Sequence, residues 1–234
     1  LVARGTRILK LARELDAPAD STGQPVMRPC PRPAVDLRPK RLSVTEIETL
    51  IRDPYAVYAK HVLKLQPFDG IGEVPNYANR GSMLHDILQA FLETRTADFD
   101  TPEAAQDLKR IALTEFEKIK DYPDLYARWQ TRFQRISDWF LRFEAERSDR
   151  VCKRLTELSG SLELDMPQFR LTGRADRIDL LDNGLVEIID YKTGQAPSKT
   201  QVEASLAPQF PLEAAMIAAG AFEGVPALRS QTLS

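Results

Sequence analysis

The spacing of apolar residues along the chain changes its period once, near residue 150. Between residues 42 and 147, apolar side chains recur every three or four positions, which is typical of amphipathic helices. Beyond residue 150, apolar and polar residues alternate, which is typical of strands with one buried face. The pattern predicts helices at 44–52, from 54 onward, 76–94, 101–119, 122–147, 199–206 and 208–219, and strands at 155–166, 169–181 and 185–191.

Local signals indicate where the first helices begin. Ser43 and Glu46 have the spacing of a capping box, in which each side chain accepts a hydrogen bond from the other residue's backbone N–H. Asp53 and Pro54 then predict a new helix start, with Asp as the N-cap and Pro in the first helical position. A helical half therefore precedes a strand-forming half.

The turn at residues 182–184 (DNG) admits two hairpin registers, and the register decides which side chains share a face. A two-residue loop sets Leu180 against Glu187 and mixes apolar with charged residues on both faces. A three-residue loop, with its glycine in the left-handed region, puts Asp176 directly opposite Asp190. It also gathers the apolar residues of both strands on the face that carries Asp176. The hydrophobic pattern therefore favours the three-residue loop.

Composition and charge limit the function classes. The 234 residues include 32 basic and 34 acidic residues, so the chain does not hold nucleic acid by its overall charge. We expect neither a membrane span nor a signal peptide, because the sequence lacks apolar runs of the required kind. Cys30 and Cys152 lie far apart and form no disulfide framework, which favours a reducing bacterial cytoplasm.

Residues 1–40 differ in composition from the remainder. Prolines crowd the second half of this stretch, at 25, 29, 31, 33 and 39, and the apolar residues show no sustained period. We therefore expect a connector from an upstream domain, followed by one domain at 41–234. The chain starts with Leu, and its last residues (231–234) resemble the beginning of another strand. We thus expect a fragment that is truncated at its carboxy terminus.

Asp176, Asp190 and Lys192 are charged residues placed among the apolar positions of the predicted hairpin. Carboxylates that face each other on a sheet are destabilising unless an ion lies between them. Mg²⁺ takes oxygen ligands, and Lys192 can meet a phosphate oxygen or polarise a metal-bound water. The residues therefore predict metal-assisted hydrolysis of a phosphodiester. A surface carboxylate pair beside a solvated lysine has the same spacing, so the spacing alone leaves both interpretations open.

Several segments together resemble the RecB-like branch of the PD-(D/E)xK nucleases. They are GRAD (173–176), IIDYKT (188–193), GSMLH (81–85), Gln209 on a later helix, and the opening helical segment 45–65. The resemblance covers residues 41–234 and fits best the carboxy-terminal nuclease domains of AddB-type subunits of bacterial helicase–nuclease complexes, which process double-strand breaks for recombination. It implies an α/β fold with a restriction-endonuclease-like core, in which a mixed sheet is flanked by helices, and a helical insertion at about 97–148.

The resemblance also implies roles for individual residues. The implied ligands of Mg²⁺ or Mn²⁺ are His85, Asp176, Asp190 and the backbone carbonyl of Tyr191. Lys192 would be the catalytic lysine, and Gln209 would orient groups of the active site or the substrate. Four basic residues are candidate contacts to DNA phosphates: Arg80, Arg174, Arg177 and Lys199. A solvated surface charge is the alternative interpretation of each.

Two positions depart from the family pattern. Many related nucleases carry an iron–sulphur cluster whose first Cys precedes Pro in the opening helices, where this chain has Asp53. No iron–sulphur cluster is therefore expected. The Gln motif often continues to a Tyr four residues later, where this chain has Glu213. The substrate contact usually credited to that Tyr is thus in doubt, and Glu213 is expected to cap or pair with a nearby basic group.

The resemblance implies a Mg²⁺- or Mn²⁺-dependent deoxyribonuclease, an exonuclease on single strands that works with an AddA-like helicase partner in double-strand break repair. An alternative is a catalytically silent module that binds DNA or a partner subunit. A second alternative is a stand-alone nuclease of CRISPR adaptation, which the missing cysteines and the linker-like amino terminus disfavour.

Overall fold

The structure is a computed structural model that describes residues 2–16, 28, 30–66, 68, 77–165, 168–192, 194 and 196–226. The chain divides into two units, residues 1–36 and 37–234. In the first unit, helix α1 spans Val2–Asp16. The strand expected at residues 231–234 lies outside the described residues.

The second unit has the predicted order, with helices before residue 150 and strands after it. Its strands are β1 (Arg41–Ser43), β2 (Val151–Asp165), β3 (Gln168–Leu181) and β4 (Val186–Ile189). Its helices are α2 (Val44–Arg52), α3 (Pro54–His61), α4 (Tyr77–Thr94), α5 (Pro102–Phe116), α6 (Pro123–Arg147), α7 (Lys199–Glu203) and α8 (Gln209–Ala218). Short 3-10 turns lie at Val35–Leu37, Glu117–Ile119 and Ser148–Arg150.

The predicted helix starts are confirmed atom by atom. Ser43 Oγ accepts from the Glu46 N–H at 3.2 Å, and the Ser43 N–H donates to Glu46 Oε2 at 2.9 Å, which completes the capping box. Asp53 caps α3 by accepting from the Ala56 N–H at 3.2 Å, with Pro54 in the first turn. These local hydrogen bonds fix the residues at which α2 and α3 begin.

Strand β3 is the centre of a four-stranded mixed sheet, which confirms the predicted α/β fold class. Strand β2 runs antiparallel to β3 along one edge. On the other edge, β1 pairs in parallel with the beginning of β3, at residues 170–172, and β4 pairs antiparallel with its end, at residues 177–180. The end of β4 therefore meets the middle of β3.

The three-residue register of the β3–β4 hairpin is confirmed. Ile178 lies opposite Ile188, and the Leu181 N–H donates to the Leu185 carbonyl at 2.9 Å. Gly184 has φ +79°, the left-handed conformation that this turn requires. Continued by two residues, this register brings Asp176 to the level of Asp190.

The strict alternation predicted through Asp176 is wrong at that level of the sheet. Ala175 and Ile178, three residues apart on β3, belong to one apolar cluster, as do their partners Leu158 and Leu155 on β2. In a regular strand such residues lie on opposite faces, so the pleat is interrupted between them in both strands. Glu157 lies at the interruption with φ +51°. At this irregularity the side chains of Glu157 and Asp176 no longer follow the regular alternation between the two faces of the sheet.

Helices cover both faces of the sheet around two separate apolar cores. Helices α2 and α8 pack on the cluster that includes Ala175 and Ile178, with Val44 and Met216 among the contributing residues. Helix α4 forms a second cluster with α5 and α6, the two helices of the stretch expected as an insertion. Tyr191 packs against this cluster. Residues at the end of β4 thus contact both apolar clusters, Ile188 the first and Tyr191 the second.

The face toward α6 carries a buried ionic network. Its members are Glu144, Arg147, Arg154, Arg177, Asp179 and Glu187. Arg177 is 0% exposed, and its guanidinium donates to Glu144, Asp179 and the Tyr191 hydroxyl. Although burial acts to lower it, these carboxylates raise the pKa of Arg177 above its usual value. The prediction that Arg177 contacts DNA is therefore wrong, because the side chain reaches no surface.

In the described part of the chain, no helix is both long and apolar enough to cross a membrane.

Candidate active site

The predicted site residues come from four elements that meet where β4 ends. His85 lies in α4, Asp176 in β3, and Gln209 at the first position of α8, while Asp190 and Lys192 follow β4 directly. The structure places them in two hydrogen-bonded groups. The backbone of Tyr191 joins the two groups, because it lies between Asp190 and Lys192 in the chain.

The first group consists of His85, Asp176 and the backbone of Tyr191. His85 Nε2 donates to the Tyr191 carbonyl at 2.6 Å, and His85 Nδ1 lies 3.4 Å from Asp176 Oδ2. The Tyr191 N–H donates to the same Asp176 oxygen at 2.9 Å. Both imidazole nitrogens therefore face an oxygen acceptor, an arrangement that favours the doubly protonated ring.

The titration of these two side chains follows from the same contacts. The hydrogen bond to Asp176 raises the pKa of His85, against the opposing effect of burial. Burial acts to raise the pKa of Asp176, but the bonds from His85 and from the Tyr191 N–H lower it overall. These contacts therefore favour an imidazolium next to a carboxylate. A metal ion that binds to the imidazole has to displace a proton.

Glu157 is a site residue that the sequence analysis missed. One ligand atom each from His85, Glu157 and Asp176 lie within 4.8 Å of one another. Glu157 comes from β2 at the interruption of the pleat, across the strand pair from Asp176, and its Oε2 lies 2.5 Å from Arg174 Nε. Aligning β2 with β3 by their apolar alternation would have found it, since 156 pairs with 177 and 158 with 175.

The second group consists of Asp190, Lys192 and Gln209. Asp190 Oδ1 accepts from Lys192 Nζ at 2.9 Å and from Gln209 Nε2 at 2.8 Å, and Lys192 Nζ also donates to Gln209 Oε1 at 3.2 Å. Asp190 Oδ2 is buried and has no hydrogen-bond partner, although Lys192 Nζ lies 2.8 Å away as an ion pair. Gln209 therefore holds the carboxylate and the amine in a fixed relation.

Glu213 lies one helical turn after Gln209 and is 1% exposed. Its Oε1 accepts from Gln209 Nε2 at 3.2 Å, whereas its Oε2 has no partner. The expectation that Glu213 caps a group or pairs with a base is thus wrong: in the described residues its hydrogen-bond partner is an amide. Burial raises the pKa of Glu213 to about 7.

Replacing Glu213 by Gln is expected to stabilise the metal-free protein at alkaline pH. Between pH 4.5 and about 7 the folded state keeps a proton that the unfolded state releases, so the stability of the wild type falls as the pH rises through this window. Glutamine removes this dependence, with a gain on the order of 2 kcal/mol at pH 8. Urea denaturation at pH 4 and pH 8 measures it, with exposed Glu223→Gln as the control. An equal loss of stability at both pH values would contradict the raised pKa.

The remaining candidate DNA contacts differ in their surroundings. Arg174 is exposed but ion-paired with Glu157. Lys199 is exposed and lies 3.9 Å from Glu203 on its own helix. Arg80 lines a cavity of about 550 Å³ that Asp190 and Lys192 also line. These residues remain predictions, and Arg80 is the one placed next to the site.

The donor set fits a divalent metal ion. One imidazole, two carboxylates and one backbone carbonyl lie together, from His85, Glu157, Asp176 and Tyr191, and the carboxylate of Asp190 lies in the adjoining group. Imidazole and carboxylate ligands suit Mn²⁺, and a mostly oxygen set suits Mg²⁺. The clustering of one ligand atom each from His85, Glu157 and Asp176 within 4.8 Å of one another is the observation that favours a ligand role.

Comparisons with known proteins show which family the chain matches. Residues 41–232 match the model of the PD-(D/E)XK nuclease superfamily. The chain is 35% identical over 190 residues to an uncharacterised protein of Rickettsia bellii (strain RML369-C), covering 79% of this chain and 22% of that protein. Uncharacterised proteins of Rickettsia conorii and Rickettsia typhi are 33% and 32% identical, each over 193 residues, with 79% of this chain and 23% and 22% of those proteins covered. The chain spans about a fifth of the length of these relatives.

Proposed function

Because the chain belongs to the PD-(D/E)XK nuclease superfamily, we propose that it hydrolyses phosphodiester bonds of DNA with the help of Mg²⁺ or Mn²⁺. The observation that carries the proposal is the convergence of metal-ligand types from α4, β2, β3 and the end of β4 on one site, beside a lysine. Two apolar cores hold these elements in place, so the site is supported by the fold.

Each group has a defined task in this proposal. The imidazole of His85, the carboxylates of Glu157, Asp176 and Asp190, and the Tyr191 carbonyl would hold the cation. When bound, the cation supplies Lewis-acid stabilisation of the phosphate and lowers the pKa of water. The ammonium of Lys192 would donate hydrogen bonds to a phosphate oxygen as negative charge develops. Gln209 would hold the side chains of Lys192 and Asp190 in a fixed relative position through its hydrogen bonds to both.

The finer parts of the proposal concern substrate, setting and partner. We infer an exonuclease that acts on single strands within an AddB-type helicase–nuclease complex for break repair, with an AddA-like subunit as its partner. The family motifs at residues 81–85, 173–176 and 188–193 support this. The relatives are several times longer than the chain, as expected for a nuclease module within a larger machine. We place the protein in a bacterial cytoplasm, since Cys30 and Cys152 form no disulfide.

The test is digestion of DNA by the protein. Linear single-stranded, circular single-stranded and linear duplex DNA are incubated with Mn²⁺, and EDTA is added part-way. We expect progressive shortening of the linear single strand, an intact circle, and arrest by EDTA. Asp190→Asn should lose at least about 10²-fold in rate, whereas exposed Asp182→Asn, in the β3–β4 turn, should keep the wild-type rate.

Two outcomes would overturn the proposal. If Asp190→Asn digests DNA like the wild type, the activity does not belong to this site. If Mn²⁺ raises the melting temperature of the wild type but no DNA is cleaved, the chain is a silent binding module. Cutting of the circle would correct the exonuclease part alone.

A further inference from the structure

Helix α6 carries a row of exposed side chains, which we name the α6 stripe: Arg128, Arg132, Arg135, Trp139 and Arg142. Successive members are separated by four, three, four and three positions, so they share one side of the helix. The stripe runs for about 21 Å along the helix axis, at about 1.5 Å per residue. It combines four arginines with one tryptophan on a helix of the larger core.

The arginines of the stripe are not used for folding. Among the described residues, Arg128, Arg132 and Arg135 form no ion pair or hydrogen bond, and Arg142 donates only to the backbone carbonyl of Asp138. Some exposed arginines elsewhere, such as Arg170 and Arg174, are paired with carboxylates. The α6 stripe is therefore a surface whose positive charge remains available.

The middle of the stripe borders the catalytic centre. Arg132, Arg135 and Trp139 line the same cavity of about 550 Å³ as Asp190 and Lys192. Apolar side chains of α4 and α6 complete the lining. A molecule bound along the stripe would thus lie next to the proposed site of hydrolysis.

Trp139 forms an oriented platform within the stripe. Its ring stacks on Phe143 at 5.1 Å with an interplanar angle of 18°, and Arg147 lies over Phe143 at 4.7 Å from the ring centre. Trp139 is nevertheless 51% exposed. One ring face is occupied by Phe143, so the exposure comes from the remainder of the indole. A large exposed aromatic that is already oriented loses little entropy when a flat ligand stacks on it.

We propose that the α6 stripe binds single-stranded DNA on its way to the catalytic centre, with a base stacked on Trp139 and phosphates paired with Arg132 and Arg135. The inference rests on the proposed nuclease function and adds a subsite to it. Cationic side chains interleaved with an aromatic platform match a backbone of phosphates that carries unpaired bases. In a duplex the base faces are already stacked on one another, so Trp139 selects the single strand.

The proposal is tested by binding of fluorescein-labelled oligo(dT) to the full-length protein in EDTA, followed by fluorescence anisotropy as a function of salt. Trp139→Ala should weaken binding about tenfold, with the slope of log K against log [salt] unchanged, and Trp139→Phe should restore most of the affinity. The double variant Arg132→Ala/Arg135→Ala should reduce the magnitude of that slope by about 1.4, since each single-strand phosphate contact contributes about 0.7.

Matched controls and distinct outcomes keep this test separate from that of the nuclease function. The double variant Lys109→Ala/Lys120→Ala removes two exposed cations of the same helical region and should bind oligo(dT) like the wild type. Equal binding by Trp139→Ala and the wild type would overturn the subsite, even if the wild type cleaves DNA in Mn²⁺. So would tighter binding of a duplex, or of oligo(U), than of oligo(dT). Failure of the wild type to cleave, with these binding effects present, would overturn only the nuclease function.

Discussion

Replacing Glu144 by Gln is expected to lower the free energy of unfolding by about 3–5 kcal/mol, the usual cost of leaving one member of a buried ion pair without its partner. Glu144 is 0% exposed and accepts from Arg177 and Arg154. The neutral amide cannot compensate two guanidinium groups, and it turns a donor toward one of them. The midpoint of urea denaturation measures the loss, with an unchanged m-value showing that unfolding remains two-state.

The same helix supplies the control for this experiment. Glu146 lies two positions further along α6 and is exposed, so Glu146→Gln should change stability by less than about 0.5 kcal/mol. If the two substitutions cost the same, the network does not hold α6 to the sheet. The loss at Glu144 should extend to the active site, since Arg177 also bonds the Tyr191 hydroxyl at 3.0 Å.

Replacing Lys192 by Met should reduce the rate of single-strand cleavage by about 10³-fold while leaving Mn²⁺ binding intact. The physical reason is that Lys192 lies against Asp190 as a cation and not as a ligand, so the substitution deletes the proposed donor to the phosphate but none of the groups proposed to hold the metal. Steady-state cleavage at saturating DNA gives the rate, and calorimetric titration with Mn²⁺ gives the affinity.

Lys153, exposed on β2, provides the matched control, and Lys153→Met should cleave at the wild-type rate. Cleavage by Lys192→Met within about threefold of the wild type would remove Lys192 from the catalytic machinery. Loss of Mn²⁺ binding together with cleavage would instead make Lys192 a structural residue of the site.

Local sequence signals predicted most of the fold. The capping box at Ser43 and the Asp53–Pro54 start act through neighbours in the chain, so their geometry follows from residue identity alone. The β3–β4 register followed because a slip of one residue would have mixed charged and apolar faces. Such features need no knowledge of which helix covers which face.

Non-local packing set the features that the sequence did not reveal. Arg177 looks like a surface cation beside Asp176, but Glu144, 33 positions earlier, lies over it once α6 covers the sheet. Glu157 stands out only when β2 is aligned with β3 and the pleat is seen to be interrupted. Both depend on contacts between distant segments, which periodicity in a single stretch cannot encode.

The hydrogen bonds of His85 have a consequence for how the molecule is made. The imidazole of His85 contacts Asp176 and the Tyr191 carbonyl, two of the oxygen groups proposed to hold the cation. These contacts favour a second proton on the ring, whose positive charge would offset the carboxylate of Asp176 while no metal is bound. Loading of a divalent ion at this position would then exchange one positive charge for another in a protein that is already folded.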